Sequence, residues 1–337
     1  MNFHIKVTLT YKLFLFVVLV ISVPVKATTW GFYAHKKINR LAIFTLPVEM
    51  IGFYKYNIDF MTEKAVNADR RRYAVKEEAA RHYIDIDHYG DSALYKMPRY
   101  WKEAIARYSA IARYSEDTLQ AYGIIPWHVN ILRYRLTDAM RIKDTQNILR
   151  LSADLGHYIA DANVPLHTTV NYNGQLTDQY GIHGLWESRL TELFSNEYEF
   201  FVGRATYLSN PQLEIWDAIT QAHMSLDSVF SLERRVTQKL GEDKKYSFET
   251  RGQSTIKVYS SEFSRAYHKS MKGMVERQMR KSIKMVGDFW YTCWVDAGQP
   301  DLEQLIDFEF SEEELAERKK ELEAWKEETF KKRVHEH

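Results

Sequence analysis

The chain carries a single cysteine, Cys293, so no intrachain disulfide framework can brace it. Lying between Trp290 and Trp294, that thiol reads as a buried core group rather than a nucleophile. An excess of charge is missing as well. The 46 basic and 45 acidic residues leave a net charge of +1. Composition therefore points to neither nucleic acid nor a membrane surface, and a polyanionic partner has to be read from a local site. Seven prolines and fourteen glycines are few for 337 residues. They gather at junctions such as Gly123 to Pro126, Val164-Pro165 and Gly298 to Pro300, which leaves long stretches free of helix breakers. Alternating strand patterns are nearly absent, as are internal repeats. Beyond residue 27 no run is apolar enough to cross a bilayer.

What is present begins with Lys6 and Lys12, ahead of an apolar run from Leu13 to Val23 that is too short to span a membrane. Val25-Lys26-Ala27 then offers an acceptable small-residue cleavage site. Residues 1–27 are expected to be a signal peptide, with the mature chain soluble and exported, periplasmic or secreted. A retained N-terminal anchor is the alternative, and the lack of a following cysteine excludes a lipoprotein anchor. Hydrophobic residues make up 45% of the chain, enough for a sizeable core. They recur at three and four spacing over 35–46, 100–122, 129–143, 146–161, 212–233 and 256–294, the period of helix. The expectation is an all-α fold, a single multi-helix domain over 28–300. Residues 301–337 form a charged extension, of which 311–334 reads as a solvated helix. One segment, Thr168 to Gly184, breaks the helical pattern with Asn171, Asn173, Gly174 and Gly181. Long ordered loops in compact domains are usually functional.

Among twelve histidines, the informative ones stand in a patterned relation to acids. His157 and Asp161 are four apart on an expected helix and project from one face. Imidazole nitrogen with carboxylate oxygen is a common zinc ligand pair. The helix ends near Pro165, and His167 arrives within reach of the same cluster. His183 and Glu187 repeat the four-residue spacing. One such pair is commonly a surface pair or a capped helix end; two of them, with a histidine between, point to a metal site. Upstream stand Trp30 and His35, then Asp69 followed by Arg70, Arg71 and Arg72, then the run His82-Tyr83-Ile84-Asp85.

Taken in order, these residues resemble the superfamily that joins bacterial zinc-dependent phospholipase C to the single-strand-specific zinc nucleases of fungi and plants. The likeness covers roughly 30–190 by motif and extends to 300 by helix content. It implies a multi-helix fold of that type and three zinc ions per chain. By the resemblance, Asp69, His82, His157 and Asp161 hold the first zinc, and His167, His183 and Glu187 the second. Trp30, His35 and a shared Asp161 hold the third. Trp30 would ligate through a free amino group and its carbonyl, which requires it to be the mature N-terminus. Cleavage after Ala27 leaves Thr28 and Thr29 ahead of it; cleavage or trimming after Thr29 exposes it.

A phosphodiester resists hydrolysis because water is a poor nucleophile and phosphate repels anions. Zinc lowers the pKa of bound water to about 7 and neutralises phosphoryl charge. The resemblance implies that Asp69 orients the attacking water and that Arg72 clamps a phosphate oxygen. Arg70 or Arg71 stands open as the clamp instead, and the three arginines also read as a basic helix surface. Tyr83 would stack on a base, worth roughly 1–3 kcal/mol, and Asp85 would hydrogen-bond its edge. The five-residue step from Trp30 to His35, and Arg72 three after Asp69, resemble the nucleases. They favour a single-strand-preferring endonuclease or 3'-nucleotidase, with single-stranded nucleic acid or nucleotide as partner. Glu187, where the nucleases use aspartate, and the lack of disulfides fit the alternative, a phospholipase C acting on phospholipid head groups. A non-enzymatic zinc protein would need a closed metal cage, whereas nine ligand residues for three metals leave open positions. His88, His128, His223 and His268 match no ligand slot, although His128 also reads as a cleft-lining group. Trp101, Trp127, Trp186 and Trp216 read as core. Asn171, Asn173 and Gln175 stand between ligands as candidates for substrate contact.

Overall fold

A computed structural model of the chain describes residues 31–105, 115–251 and 254–306, together with 312, 316, 319 and 320. The expected signal peptide, Trp30 and nearly all of the expected C-terminal helix lie outside the described residues. Helix α1 (Phe32–Ala42) buries Ala34, His35, Ile38, Asn39 and Ala42, a stripe at three and four spacing. Helices α2 (Val48–Tyr56), α3 (Ile58–Lys64) and α4 (Asn67–Arg71) follow in short turns. Then come α5 (Ala93–Lys96), α6 (Trp101–Ala104) and α7 (Glu116–Tyr122), the last capped by the Ser115 hydroxyl on the Thr118 amide.

Two long helices, α8 (Ile125–Arg141) and α9 (Thr145–Ala162), lie side by side and carry the centre of the fold. Lys143, with φ of 57°, closes the turn between them. Asp144 caps α9 by accepting from the Asn147 amide at 3.1 Å. Fifteen of the eighteen residues of α9 are buried, so it is enclosed on nearly every face. It stops where Pro165 approaches: Val164 is already extended, as a residue before proline must be. After the polar loop come α10 (Leu190–Phe194), α11 (Pro211–His223), α12 (Leu226–Leu240), α13 (Ser261–Ser270) and α14 (Met274–Asp296). Helix α14 packs against α1, α8 and α9. Among the described residues no helix is long and apolar enough to cross a membrane.

The architecture is mostly helical, with two corrections to the sequence reading. Residues expected to start a helix at 256 belong instead to an antiparallel hairpin, β1 (Tyr246–Arg251) paired with β2 (Ser254–Tyr259) in the register Tyr246 opposite Tyr259. The β-branched and aromatic residues Thr255, Ile256, Val258 and Tyr259 favour strand there, and helix begins only where Ser260 caps α13. The stretch 212–233 is two helices, parted at Met224 and Ser225.

Two apolar clusters fill the interior. The larger gathers α1, α2, α8, α9, α11 and α14 around Trp127, Trp216 and Trp290, with Tyr54 stacked on Trp290 at 5.1 Å. Full burial of one large apolar side chain contributes about 1.5–3 kcal/mol. The smaller holds Leu166, Leu185, Trp186, Val229, Phe263 and Tyr267. Neighbours of His35, His157 and Asp161 belong to the first cluster, and neighbours of His167, His183 and Glu187 to the second. Trp127, Trp186 and Trp216 are core, Trp101 packs on it half-buried, and Cys293 is buried.

Candidate metal centre

Six separate segments deliver the histidines and carboxylates to one place. His35 comes from α1, Asp69 from α4, and His157 with Asp161 from α9. His82 ends a 3-10 turn (Ala79–His82), and His167 lies in another (Pro165–Thr168). The first of these turns is docked on the start of α8: the Ile124 amide donates to the Ala80 carbonyl at 2.7 Å, and the Asp85 amide to the Tyr122 carbonyl at 2.8 Å. Gly123 permits that approach, since a Cβ there would lie 2.0 Å from the Tyr83 carbonyl oxygen and φ is +93°. His183 opens a π-helical turn, Gly184–Arg189, that carries Glu187. Such turns recur at functional sites. It is held from outside, where Arg189 is bidentate to Glu249 of the hairpin and bonds the Ser261 hydroxyl.

The side chains form three groups, each with ligand atoms within 4.8 Å of one another: Asp69, His82 and His157; His35, His157 and Asp161; and His167, His183 and Glu187. Asp161 divides its two oxygens. Oδ2 lies 2.9 Å from His82 Nδ1 and 3.2 Å from His157 Nε2, while Oδ1 lies 3.3 Å from His35 Nε2. Asp69 Oδ1 completes the first group at 3.8 Å from both His82 Nδ1 and His157 Nε2. His35 Nε2 is also 3.4 Å from Glu187 Oε1, which links the second and third groups. In the third, Glu187 Oε2 stands 2.7 Å from His183 Nε2 and 3.6 Å from His167 Nε2.

The outward nitrogens decide what the inward ones offer. His157 Nδ1 meets the Ala65 carbonyl at 2.8 Å, His167 Nδ1 the His82 carbonyl at 2.6 Å, and His183 Nδ1 the Tyr172 carbonyl at 3.2 Å. A carbonyl only accepts, so each Nδ1 carries a proton and, in the neutral ring, each Nε2 turns a lone pair inward. The lone pairs of His167 and His183 then face each other at 3.2 Å with a carboxylate alongside. Acceptors gathered at that range repel unless a cation lies among them. Metal-ligating histidines are oriented in this way, by a bond from the other ring nitrogen. The residues present therefore fit divalent cations, and mixed nitrogen and oxygen donors are compatible with zinc.

The charges of the cluster are set against one another. Burial disfavours every charge in this place, yet Asp161 stays well below the usual carboxylate range because His157 and His167 hold it there. Glu187 is likewise held well down, against its burial, by His167, His183 and His35. Burial works to lower His35 and His167, but bonding to Asp161 and Glu187 carries both above the ordinary value. For His82 and His183 burial prevails and the shift is downward. Asp161 and Glu187 are thus ionised in a buried setting.

Around this centre the structure separates residues that the sequence left open. Arg72 sits with its guanidinium 3.7 Å from Asp69 Oδ1, at the edge of the first group. Arg71 turns away and is spent on Asp154 at 2.9 Å and Glu78 at 3.4 Å, so it is no alternative clamp. Arg70 lies over the Phe32 ring. Tyr83 is half-buried and its hydroxyl donates to the Ala121 carbonyl, while Asp85 is buried. Asn171, Asn173 and Gln175 are committed to the loop's own bonds with Thr177, Leu176, Gly181 and Val170. They build the loop rather than face a substrate. His128 is buried edge-on to Tyr158, a structural histidine. Gly31 lies against Glu187, where an added Cβ would be 3.0 Å from Oε1, so the chain immediately after Trp30 reaches the centre.

Sequence reasoning missed Glu78. It is fully buried, bonded by Tyr158, Arg71 and Arg81, and lies 3.8 Å from the outer nitrogen of His82. Its spacing of four from His82 is the same His-to-acid signal, read in reverse. A scan against protein-family models matches no family, and a search of curated proteins finds no match.

Proposed function

We propose that the chain is a zinc-dependent phosphodiesterase of the phospholipase C and single-strand nuclease type, exported, with three zinc ions. Its substrate in this reading is single-stranded nucleic acid or a nucleoside 3'-phosphate. The observation that carries the reading is the divided Asp161 carboxylate, with Oδ2 toward His82 and His157 and Oδ1 toward His35. A carboxylate shared in this way suits a multinuclear centre and is poorly explained by an isolated structural ion.

When bound, zinc supplies Lewis acidity and brings the pKa of water to about 7. Asp69, the least buried of the cluster's acids, accepts a hydrogen bond from the attacking water and turns its lone pair toward phosphorus. Arg72, steadied by Asp69, donates to a phosphate oxygen. Tyr83 offers its ring face to a base and Asp85 accepts from the base edge. His35 stands on the Oδ1 side of Asp161, and in this reading Trp30 would ligate the same ion.

A second reading, phospholipase C on phospholipid head groups, is favoured by Glu187 in place of aspartate. Exposed Leu176, Tyr180 and Phe248 on the polar loop and the hairpin lean the same way. Single-stranded DNA, a nucleoside 3'-phosphate and phosphatidylcholine vesicles offered side by side with zinc separate the two. Turnover of the first two without the lipid is the expected outcome. Cleavage of the lipid alone would transfer the assignment to phospholipase C, and no turnover at all would leave a zinc protein without this activity.

A further inference from the structure

Away from the histidines, a cleft of about 460 Å³ runs along the first half of α14, opposite α11. Arg277, Arg280, Lys281 and Lys284 line it, with Asp217 and Asp288 as its acids. The whole chain is nearly neutral, yet residues 277–284 hold these four cations and no acid. At 1.5 Å per residue they form a stripe about 10 Å long, on one side of the helix by their spacing of three, four and seven.

Only one of the four cations is ion-paired among the described residues. Lys284 pairs with Asp288, which also accepts from the Thr206 amide at 2.6 Å. Arg277 donates to the Lys272 carbonyl, Arg280 to the carbonyls of Glu199 and Phe201, and Lys281 to the Gln221 amide oxygen. These partners carry no net charge, and a guanidinium keeps further donors after one such bond. Among the described residues, Arg277, Arg280 and Lys281 make no ion pair.

A second observation lies at the edge of the cleft. Asn163 is 1% exposed and has its Oδ1 buried with no hydrogen-bond partner. Its Nδ2 donates to the Ile159 carbonyl at 2.9 Å, which fixes which end of the amide is the acceptor. The same residue lines both the basic cleft and the narrow space beside His35 and Glu187. Asn163 thus stands in the wall between the cleft and that space, with its acceptor closed to solvent.

We propose that this cleft is a second phosphodiester site, seating backbone phosphates of a single strand on the Arg277, Arg280 and Lys281 stripe. The site shares Asn163 with the narrow space beside His35 and Glu187. It rests on the phosphodiesterase reading for the fate of the strand, not for its binding.

The test is binding of a short, cleavage-resistant phosphorothioate oligonucleotide to the full mature chain. Wild type is compared with the double charge reversal Arg277→Glu, Lys281→Glu and with the milder Lys281→Gln. Zinc content and helical circular dichroism are the fold controls. Affinity should fall about tenfold or more in the double variant. The slope of log K against log salt should flatten by about 1.4, two contacts at about 0.7 each for single strands. Lys281→Gln should flatten it by about half as much. Unchanged affinity and slope in both variants would overturn the site. So would displacement of the oligonucleotide by inorganic phosphate at equal phosphate concentration, or variants that lose anionic vesicles but keep the oligonucleotide. Turnover of a nucleoside 3'-phosphate by wild type reads the phosphodiesterase proposal separately. Loss of strand binding without any turnover would keep the cleft and remove the enzyme.

Discussion

Asp161 is 1% exposed at the end of α9, and both of its oxygens are used. An ionised carboxylate is costly to bury unless its charge is compensated on every side. Here the compensation comes from two directions, which is the physical meaning of a shared ligand. Asparagine keeps the shape and removes the charge, leaving one acceptor atom instead of two. On the proposed count of three zinc ions, Asp161→Asn should therefore lose two together, as measured by elemental analysis of the purified protein. Loss of a single ion would show that the carboxylate serves one site only. This residue was legible in the sequence because a helix places i and i+4 on one face. The choice among Arg70, Arg71 and Arg72 was not legible. Consecutive helical residues point about 100° apart, and only the neighbours decide which of the three meets Asp69. Glu78 went unread because its role depends on Tyr158, Arg71 and Arg81, which are close in space and scattered in sequence.

At the scale of elements, the centre depends on how closely α1 lies on α9. The rings of His35 and His157 stack at 4.0 Å across that contact. Two residues make the approach possible. Gly156 has no side chain, and Asn39 fills the space, donating from Nδ2 to the Ala153 carbonyl at 3.0 Å. A Cβ on residue 156 would stand 2.0 Å from Asn39 Oδ1, a buried amide pinned by that bond. Gly156→Ala would ordinarily favour a helix, by up to about 1 kcal/mol. In this position the clash outweighs propensity. We expect a net loss of about 1–3 kcal/mol in urea unfolding, with weaker zinc retention at the His35 group. A variant as stable as wild type would mean that α1 can shift without cost. The sequence announced both helices through their period, but not their separation. It also hid the π-helical turn at Glu187, since His183 and Glu187 keep the same spacing whether the turn is α or π. The hairpin was hidden for a related reason: six-residue strands offer too few alternations to stand out beside long helical runs.

For the whole molecule, the histidines and carboxylates are the point at which six segments, drawn from both apolar clusters, are joined. Local patterns named most of these residues, and packing over long sequence distances brought them together. The stripe on α14 shows the converse, with four cations plain in the sequence but given meaning only by the cleft they line. In the proposed metal-loaded state, joining segments through the centre of histidines and carboxylates links folding to the binding of cations. Ligands that bind the native state alone stabilise it by about 2.7 kcal/mol at a hundred times Kd. For a domain of about 150–250 residues each kcal/mol moves Tm by about 2–4 °C, and somewhat less in a larger one. Removing zinc with a chelator should then lower Tm by several degrees for each ion lost. Returning zinc should restore it, whereas magnesium, which prefers octahedral oxygen ligands, should not. A melting curve indifferent to chelation, in protein shown by elemental analysis to have lost its metal, would mean that the six segments are held by the apolar clusters alone. The convergence of lone pairs at His167 and His183 would then need protons rather than metal to hold it.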